Sequence, residues 1–297
     1  MTSLSGAEAR RYGTVFDELA DEYDRTRPMY PDALVDRACE VAGLGSGDPV
    51  LEIGCGTGQL TRSLVARGLR VTAVEPGGNL IRLAGQNLAA TGPGTGPGAG
   101  AGPVEFVNAR FEDAALPSGY FRAVFSASAL HWVDPAVGWR KIADVLTVGG
   151  TLALLSYFGV DDPRSRDDQD AMLAAMARVA PDVAAGWPVY RDIDGTLEGV
   201  ERRRGNVSEV WAWLGSYDMA QDAAARLFGG VQVALVPKLV EQTGSELNAT
   251  FRTMSYYARL SPPQREALAQ ECEAIYARLG RPIRASVVTA LVTARRT

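Results

Sequence analysis

The sequence predicts an α/β protein built on a doubly wound, mostly parallel sheet. Three observations carry that reading. Val50, Leu51 and Ile53 form a short β-branched apolar run, and Leu60, Leu64 and Val65 follow it at helical spacing. Between the two lie glycines at alternate positions, Gly54, Gly56 and Gly58, where an α/β protein opens a nucleotide-sized ligand site. Further short apolar runs then recur at 70–74, 104–107, 120–125 and 151–155, with helical patterns between them. Glycine suits such a turn because it tolerates positive φ and lets a ligand lie against bare backbone.

The elements follow in order. Residues 7–27 read as a helix with Tyr12, Phe16, Leu19, Ala20 and Tyr23 on one stripe, stopped where Pro28 pushes Arg27 out of the helical region. Asp32 is placed to cap a helix over 32–43, and residues 43–49 turn into the first strand. The second strand ends at Glu75-Pro76, and a helix spans 79–90. The Gly/Pro tract 91–103 has almost no side-chain surface to bury and reads as a loop insertion. Strand 104–107 resumes the alternation, followed by the acidic segment Asn108–Asp113 and the fourth strand, 120–125. A helix over 139–146 and a turn through Gly150 lead into the fifth strand, 151–155. Beyond it the pattern predicts helices over 169–180 and 207–228, a strand over 231–236, helices over 245–258 and 263–279, and a last strand within 284–295.

Composition narrows the function classes. The chain has 297 residues, 46% hydrophobic and 22% charged, enough apolar content for one domain with insertions. A formal net charge of −5 argues against a nucleic-acid surface. Cys39, Cys55 and Cys272 are widely spaced and odd in number, which suggests reduced thiols and offers no metal-ligand or iron–sulfur spacing; no metal is expected. No apolar run reaches the ~18 residues of a membrane span, and the start lacks a basic region followed by an apolar one. A cytoplasmic protein without membrane contact is the expectation.

The glycine spacing bears on the ligand. A dinucleotide fingerprint needs a glycine at the sixth position of the motif, but Gln59 stands there and the third glycine falls one residue early, at Gly58. Glu75, seventeen residues past Gly58, ends the second strand where an acid can accept bonds from both ribose hydroxyls; a solvent-facing loop glutamate is the plainer alternative.

Taken together, Tyr23–Pro28, Leu51–Gly58, Val74–Pro76, Ala109–Asp113, Ser126–Trp132 and Leu146–Gly150 resemble the class I S-adenosylmethionine-dependent methyltransferases. The likeness is greatest to the small-molecule branch that includes trans-aconitate methyltransferase-like enzymes. It covers roughly residues 12–158, about half the chain. Arg122 and Val148 depart from the usual pattern at positions outside the presumed cofactor contacts.

The resemblance implies a Rossmann-like fold of seven strands, mostly parallel with an antiparallel last strand. It implies a helical cover (1–31), a cofactor-binding core (32–160), helical insertions over the substrate pocket (161–230 and 237–283) and a terminal strand pair (231–236 and 284–295). S-adenosylmethionine would be the cofactor and S-adenosylhomocysteine the product. Its contacts would be Tyr23, Arg27, Glu52, Gly54, Cys55, Gly56, Thr57, Gly58, Glu75, Pro76, Arg110, Phe111, Glu112 and Ser126, with Asp113 an alternative to Glu112. Arg27 or Tyr23 would meet the methionine carboxylate.

Methyl transfer from a sulfonium is a displacement at carbon, for which alignment and water exclusion can supply most of the acceleration. His131, the sole histidine, stands just past the fourth strand as a possible general base, or as a residue that fixes Trp132 or lines the pocket. Tyr12, Trp132, Tyr157, Trp211 and Tyr256 are candidate acceptor contacts, with Trp187, Trp213, Tyr217 and Tyr257 as further aromatics that could equally be core. No Asp/Asn-Pro-Pro-Tyr/Phe motif follows the fourth strand, which counts against methylation of base amino groups. The expected acceptor is a small molecule methylated through oxygen, with carbon or nitrogen as alternatives. A catalytically silent cofactor-binding protein and a nicotinamide-dependent dehydrogenase are the competing readings.

Overall fold

The computed structural model describes residues 16–90, 102–187 and 189–297. Seven strands form one sheet in the order β3-β2-β1-β4-β5-β7-β6. They are β1 (Pro49–Ile53), β2 (Arg70–Glu75), β3 (Val104–Asn108), β4 (Phe121–Ala127), β5 (Leu146–Gly159), β6 (Phe228–Gln242) and β7 (Ile283–Arg296). The first five run parallel, and β7 lies antiparallel between β5 and β6. The fold class expected from sequence is thus the observed one.

The helices are α1 (Ala20–Thr26), α2 (Asp32–Ala42), α3 (Gln59–Ala66), α4 (Gly78–Ala90), α5 (Pro135–Val145), α6 (Arg166–Val179), α7 (Pro181–Ala184), α8 (Ile193–Arg203), α9 (Val207–Gly215), α10 (Ala224–Leu227), α11 (Gly244–Arg252) and α12 (Pro262–Leu279). Strand alternation divides the core between the two sheet faces. Val50, Ala123, Phe125 and Leu155 pack against α2 and α3, while Leu51, Val124, Leu152 and Leu154 pack against α5 and α9. A third apolar cluster belongs to α6, α11 and α12, away from the sheet's centre. No helix among the described residues is long and apolar enough to cross a membrane.

Several boundaries differ from expectation, each for a physical reason. Asp32 is the first helical residue of α2 rather than its cap, which is Pro31. The helix expected over 207–228 is broken because Ser216 turns left-handed, φ 53°, and the chain re-forms only one short turn before β6. β6 runs through Pro237 to Gln242, well past 236, because it is an edge strand, where a missing N–H disrupts no ladder on its open side. Helix α8 was not anticipated; Asp192 caps it, accepting the Gly195 N–H at 2.7 Å. α5 begins at Pro135, four residues early, with Asp134 accepting the Ala136 N–H at 2.9 Å. The helix read over 245–258 ends at Arg252, and a 3-10 turn, Tyr257–Arg259, follows it. Residues 7–15 of the expected first helix and 91–101 of the Gly/Pro tract lie outside the described residues.

Candidate active site

A cavity of about 1160 Å³ opens at the carboxyl ends of β1, β2, β4 and β5 and extends beneath α6 and α11. The carboxyl edge is where ligands bind in sheets of this topology.

Its first wall is the glycine turn. Gly54, Gly56 and Gly58 adopt φ of 71°, 55° and 88°, a region that L side chains avoid. A Cβ at Gly54 would lie 2.3 Å from the Ala129 Cβ, whereas one at Gly56 would meet the Tyr23 ring at 3.8 Å and the Gln59 side-chain oxygen at 3.9 Å, ordinary contact distances. Glu75 ties this turn to β2: its Oε2 accepts the Gly56 N–H at 3.1 Å and its Oε1 the Gly77 N–H at 2.9 Å. Burial raises the Glu75 carboxyl above the ordinary range, and the two N–H donors work against that rise.

Beyond β3, Arg110, Phe111 and Glu112 line the cavity, and Asp113 does not. Glu112 is fixed by Arg110 at 2.7 Å and by the Asp134 N–H at 3.0 Å. Beyond β4, the lining residues include Ser128, Ala129, His131 and Trp132. Ser128 has φ 52° and accepts the Tyr30 hydroxyl at 2.9 Å.

His131 stacks on Tyr217, ring centroids 4.4 Å apart and planes 6° from parallel. Its Nδ1 is buried with no partner among the described residues. Burial pushes the imidazole down to about 3, and the Arg27 charge adds to the effect. Such an imidazole is neutral at working pH but weakly basic. The Tyr217 hydroxyl in turn lies 3.2 Å from the Ser156 hydroxyl.

The segment 16–31 crosses the cavity as a strap. Asp17 accepts the Asn79 and Leu80 N–H groups, at 2.7 and 3.1 Å, at the N-terminus of α4. Glu22 pairs with Arg252 of α11 at 3.0 Å, and Tyr157 donates to the Met29 carbonyl at 2.8 Å. Arg27 donates to the Thr253 carbonyl. The strap therefore touches both the glycine-turn side of the cavity and the α11 side.

Most candidate residues converge here: Tyr23, Arg27, Gly54, Gly56, Glu75, Pro76, Arg110, Phe111, Glu112, His131, Trp132, Tyr157 and Tyr256 all line the cavity. Others do not. Glu52 and Cys55 face a small void of about 30 Å³ behind the glycine turn, where Glu52 accepts the Thr61 hydroxyl at 2.7 Å. Thr57 is fully buried, accepting the Gln59 side-chain N–H at 2.6 Å, and Gly58 caps α3. Ser126 is spent on the β1 carbonyl of Ile53, at 3.0 Å, and Ser128 takes the cavity position instead. Trp211 is a core residue, 0% exposed, and the wall carries Trp213 with the Arg191 guanidinium 3.7 Å above its ring. Tyr12 lies outside the described residues. Sequence reasoning missed Arg191, Lys238 and Met172, which reach the cavity only through long-range packing.

Comparison with known proteins bears on the fold and on the segment that carries the glycine turn. Residues 51–154 match the family model described as "Methyltransferase domain". The chain is 36% identical over 140 residues to an uncharacterized methyltransferase of Mycobacterium tuberculosis (strain ATCC 25618 / H37Rv), covering 47% of this chain and 51% of that protein. It is 26% identical over 136 residues, 46% of this chain and 44% of the other, to a yeast protein (Saccharomyces cerevisiae strain ATCC 204508 / S288c) named as a probable S-adenosylmethionine-dependent methyltransferase. The chain thus spans about half the length of the curated relatives it matches. Among solved structures, a candidate type II methyltransferase from Anaeromyxobacter dehalogenans superposes with a TM-score of 0.54 at 22% identity, covering 91% of this chain and 97% of that one. The fold is the one this structure shares, and the segment from β1 into β5 is similar in sequence to methyltransferase domains.

Proposed function

We propose that this protein transfers a methyl group from S-adenosylmethionine to a small organic acceptor, with oxygen the favoured methylated atom. The observation that carries the reading is the coupling of the glycine turn to the strand-end acid, Gly56 N–H to Glu75, at one end of the cavity. The cofactor fits the residues present: bare backbone at Gly56 offers close approach, and Glu75 keeps lone pairs for ribose hydroxyls. Glu112 and Phe111 would flank the adenine, and Tyr23 would cover the methionine end. The cofactor supplies an electrophilic methyl group on a sulfonium. The chain's own part is to hold both ligands under the strap, orient them and exclude water.

His131 and Trp132 stand on the wall between the glycine turn and the α11 side, suited to orienting the acceptor. A neutral, weakly basic His131 suits an acceptor that arrives already ionised or is readily ionised.

The test is calorimetric titration with S-adenosylmethionine, S-adenosylhomocysteine and a nicotinamide dinucleotide, followed by an acceptor screen that reads S-adenosylhomocysteine release. Binding of the two sulfur compounds and not the dinucleotide, with release on adding an acceptor, is the expected result. Tight dinucleotide binding that displaces S-adenosylhomocysteine would overturn it.

A further inference from the structure

The cavity exceeds the roughly 300–1,000 Å³ of a single small-molecule pocket. It is one continuous cavity, and its part away from the glycine turn, beneath α6 and α11, forms a second chamber. Val236, Lys238, Val240 and Gln242, alternate residues of β6, and Val287 of β7 form one side of that chamber, the valines supplying its apolar part. Met172, Leu173, Val183, Leu247, Phe251 and Met254 form the other, and most of them are rooted in the third apolar cluster. Methionines on such a wall adapt to irregular apolar ligands. A surface this apolar is costly to leave open to water.

Several cations line the cavity, Arg110, Arg191, Lys238 and Arg259 among them, but only Arg27 also borders the small void beside Gly54 and Gly56 among the described residues. Arg27 is half-buried and faces the cavity, and it pairs with no carboxylate among the described residues. Its Nε is buried without a hydrogen-bond partner among the described residues, as is the Nδ1 of His131. The Arg27 charge is felt at His131, Tyr217 and Tyr256, and also at Tyr30 and Tyr157, so Arg27 lies amid groups that line the cavity and the small void. An enclosed guanidinium with unmet donors is stabilised when a ligand brings an anion.

Building on the methyl-transfer reading, we propose that the acceptor is an amphipathic organic acid. Its bulky apolar body lies in the α6/α11 chamber, and its anionic head meets Arg27 beside His131. This assigns Arg27 to the acceptor rather than to the cofactor's carboxylate. It also disfavours a small polar polyacid, which would leave the apolar chamber wet.

The experiment is calorimetry on the full chain saturated with S-adenosylhomocysteine, using decanoate, decan-1-ol and propane-1,2,3-tricarboxylate as probes. Decanoate is expected to bind about tenfold or more tightly than either of the others, because only it satisfies both chamber and cation. Arg27→Gln should remove about tenfold from decanoate affinity, spare decan-1-ol, and leave S-adenosylhomocysteine within about twofold. Val240→Glu, on the edge strand, should weaken both ten-carbon probes and spare S-adenosylhomocysteine. The tricarboxylate binding as tightly as decanoate, or Arg27→Gln leaving the acid preference intact, overturns the inference. If S-adenosylhomocysteine binds and decanoate does not, this inference falls alone. If decanoate shows its preference on a protein that ignores S-adenosylhomocysteine, the methyl-transfer reading falls and the acid site stands.

Discussion

The Glu75 carboxylate accepts the backbone N–H of Gly56 at 3.1 Å, across nineteen residues of sequence and from one strand end to the next. The glycine turn and the second-strand acid are therefore one unit. Glu75 also accepts the Gly77 N–H that leads into α4. A change at this carboxylate is transmitted to the backbone on both sides of it.

Glu75→Gln replaces two accepting oxygens by one acceptor and one donor, so one N–H loses its partner and the amide meets another donor. Hydrogen bonds to a charged partner contribute about 1.5–3 kcal/mol, so S-adenosylhomocysteine affinity should fall tenfold or more, by roughly that energy. Titration calorimetry of the two proteins decides it. Equal affinities would remove Glu75 from the cofactor site.

The three glycines are not equivalent. Gly54→Ala places a Cβ 2.3 Å from that of Ala129 at φ 71°, whereas at Gly56 the nearest atom is 3.8 Å away. Gly54→Ala should therefore destabilise the fold, by about 2 kcal/mol or more from overpacking added to left-handed strain. Gly56→Ala should cost mainly its backbone strain, about 1 kcal/mol, and show its larger effect on ligand affinity. Urea unfolding together with calorimetry separates the two. A Gly54→Ala protein as stable as Gly56→Ala would contradict the packing argument.

The glycine-turn end of the cavity was legible because its information is local: a strand, a turn and an acid each occupy a few neighbouring residues. Trp211 could have been placed from sequence as well. Val207, Val210, Trp211 and Leu214 fall on one helical stripe, which is the buried face of α9, and Trp213 lies off it. The chamber beneath α6 and α11 was not legible. It is assembled from α6, α11, the residues around Trp187 and an edge strand that continues through Pro237, and no local pattern links them. Ser126 and Ser128 show the finer limit. Both are serines near one strand end, and only the left-handed turn at Ser128 decides which meets the cavity.

Glu52 makes stability depend on pH. Burial pushes its carboxyl up to about 7, the Thr61 hydroxyl offsetting part of the rise. An unfolded glutamate titrates near ~4.3, so between these values the native state holds more protons and stability falls as pH rises. Glu52→Gln keeps an oxygen for Thr61 and removes that cost. It should gain about 1–3 kcal/mol on wild type between pH 5 and pH 8, read by urea unfolding at both. Parallel curves for the two proteins would show that Glu52 does not titrate in this window.

His131 has the opposite sign. Its folded value, about 3, lies below the ordinary ~6.5, so the unfolded chain binds the extra proton first. Its contribution to stability is complete above about pH 6.5 and is lost as pH falls toward 3. As the sole histidine it gives a single imidazole signal, which should show no titration between about pH 7 and pH 5 in the free protein. Arg27→Gln removes a facing cation and should move the titration upward, though burial against Tyr217 keeps it below the ordinary value. Bound decanoate should shift it in the same direction by screening Arg27. An imidazole that titrates near 6.5 in the free protein would restore His131 as a general base and predict an inflection there in kcat/KM.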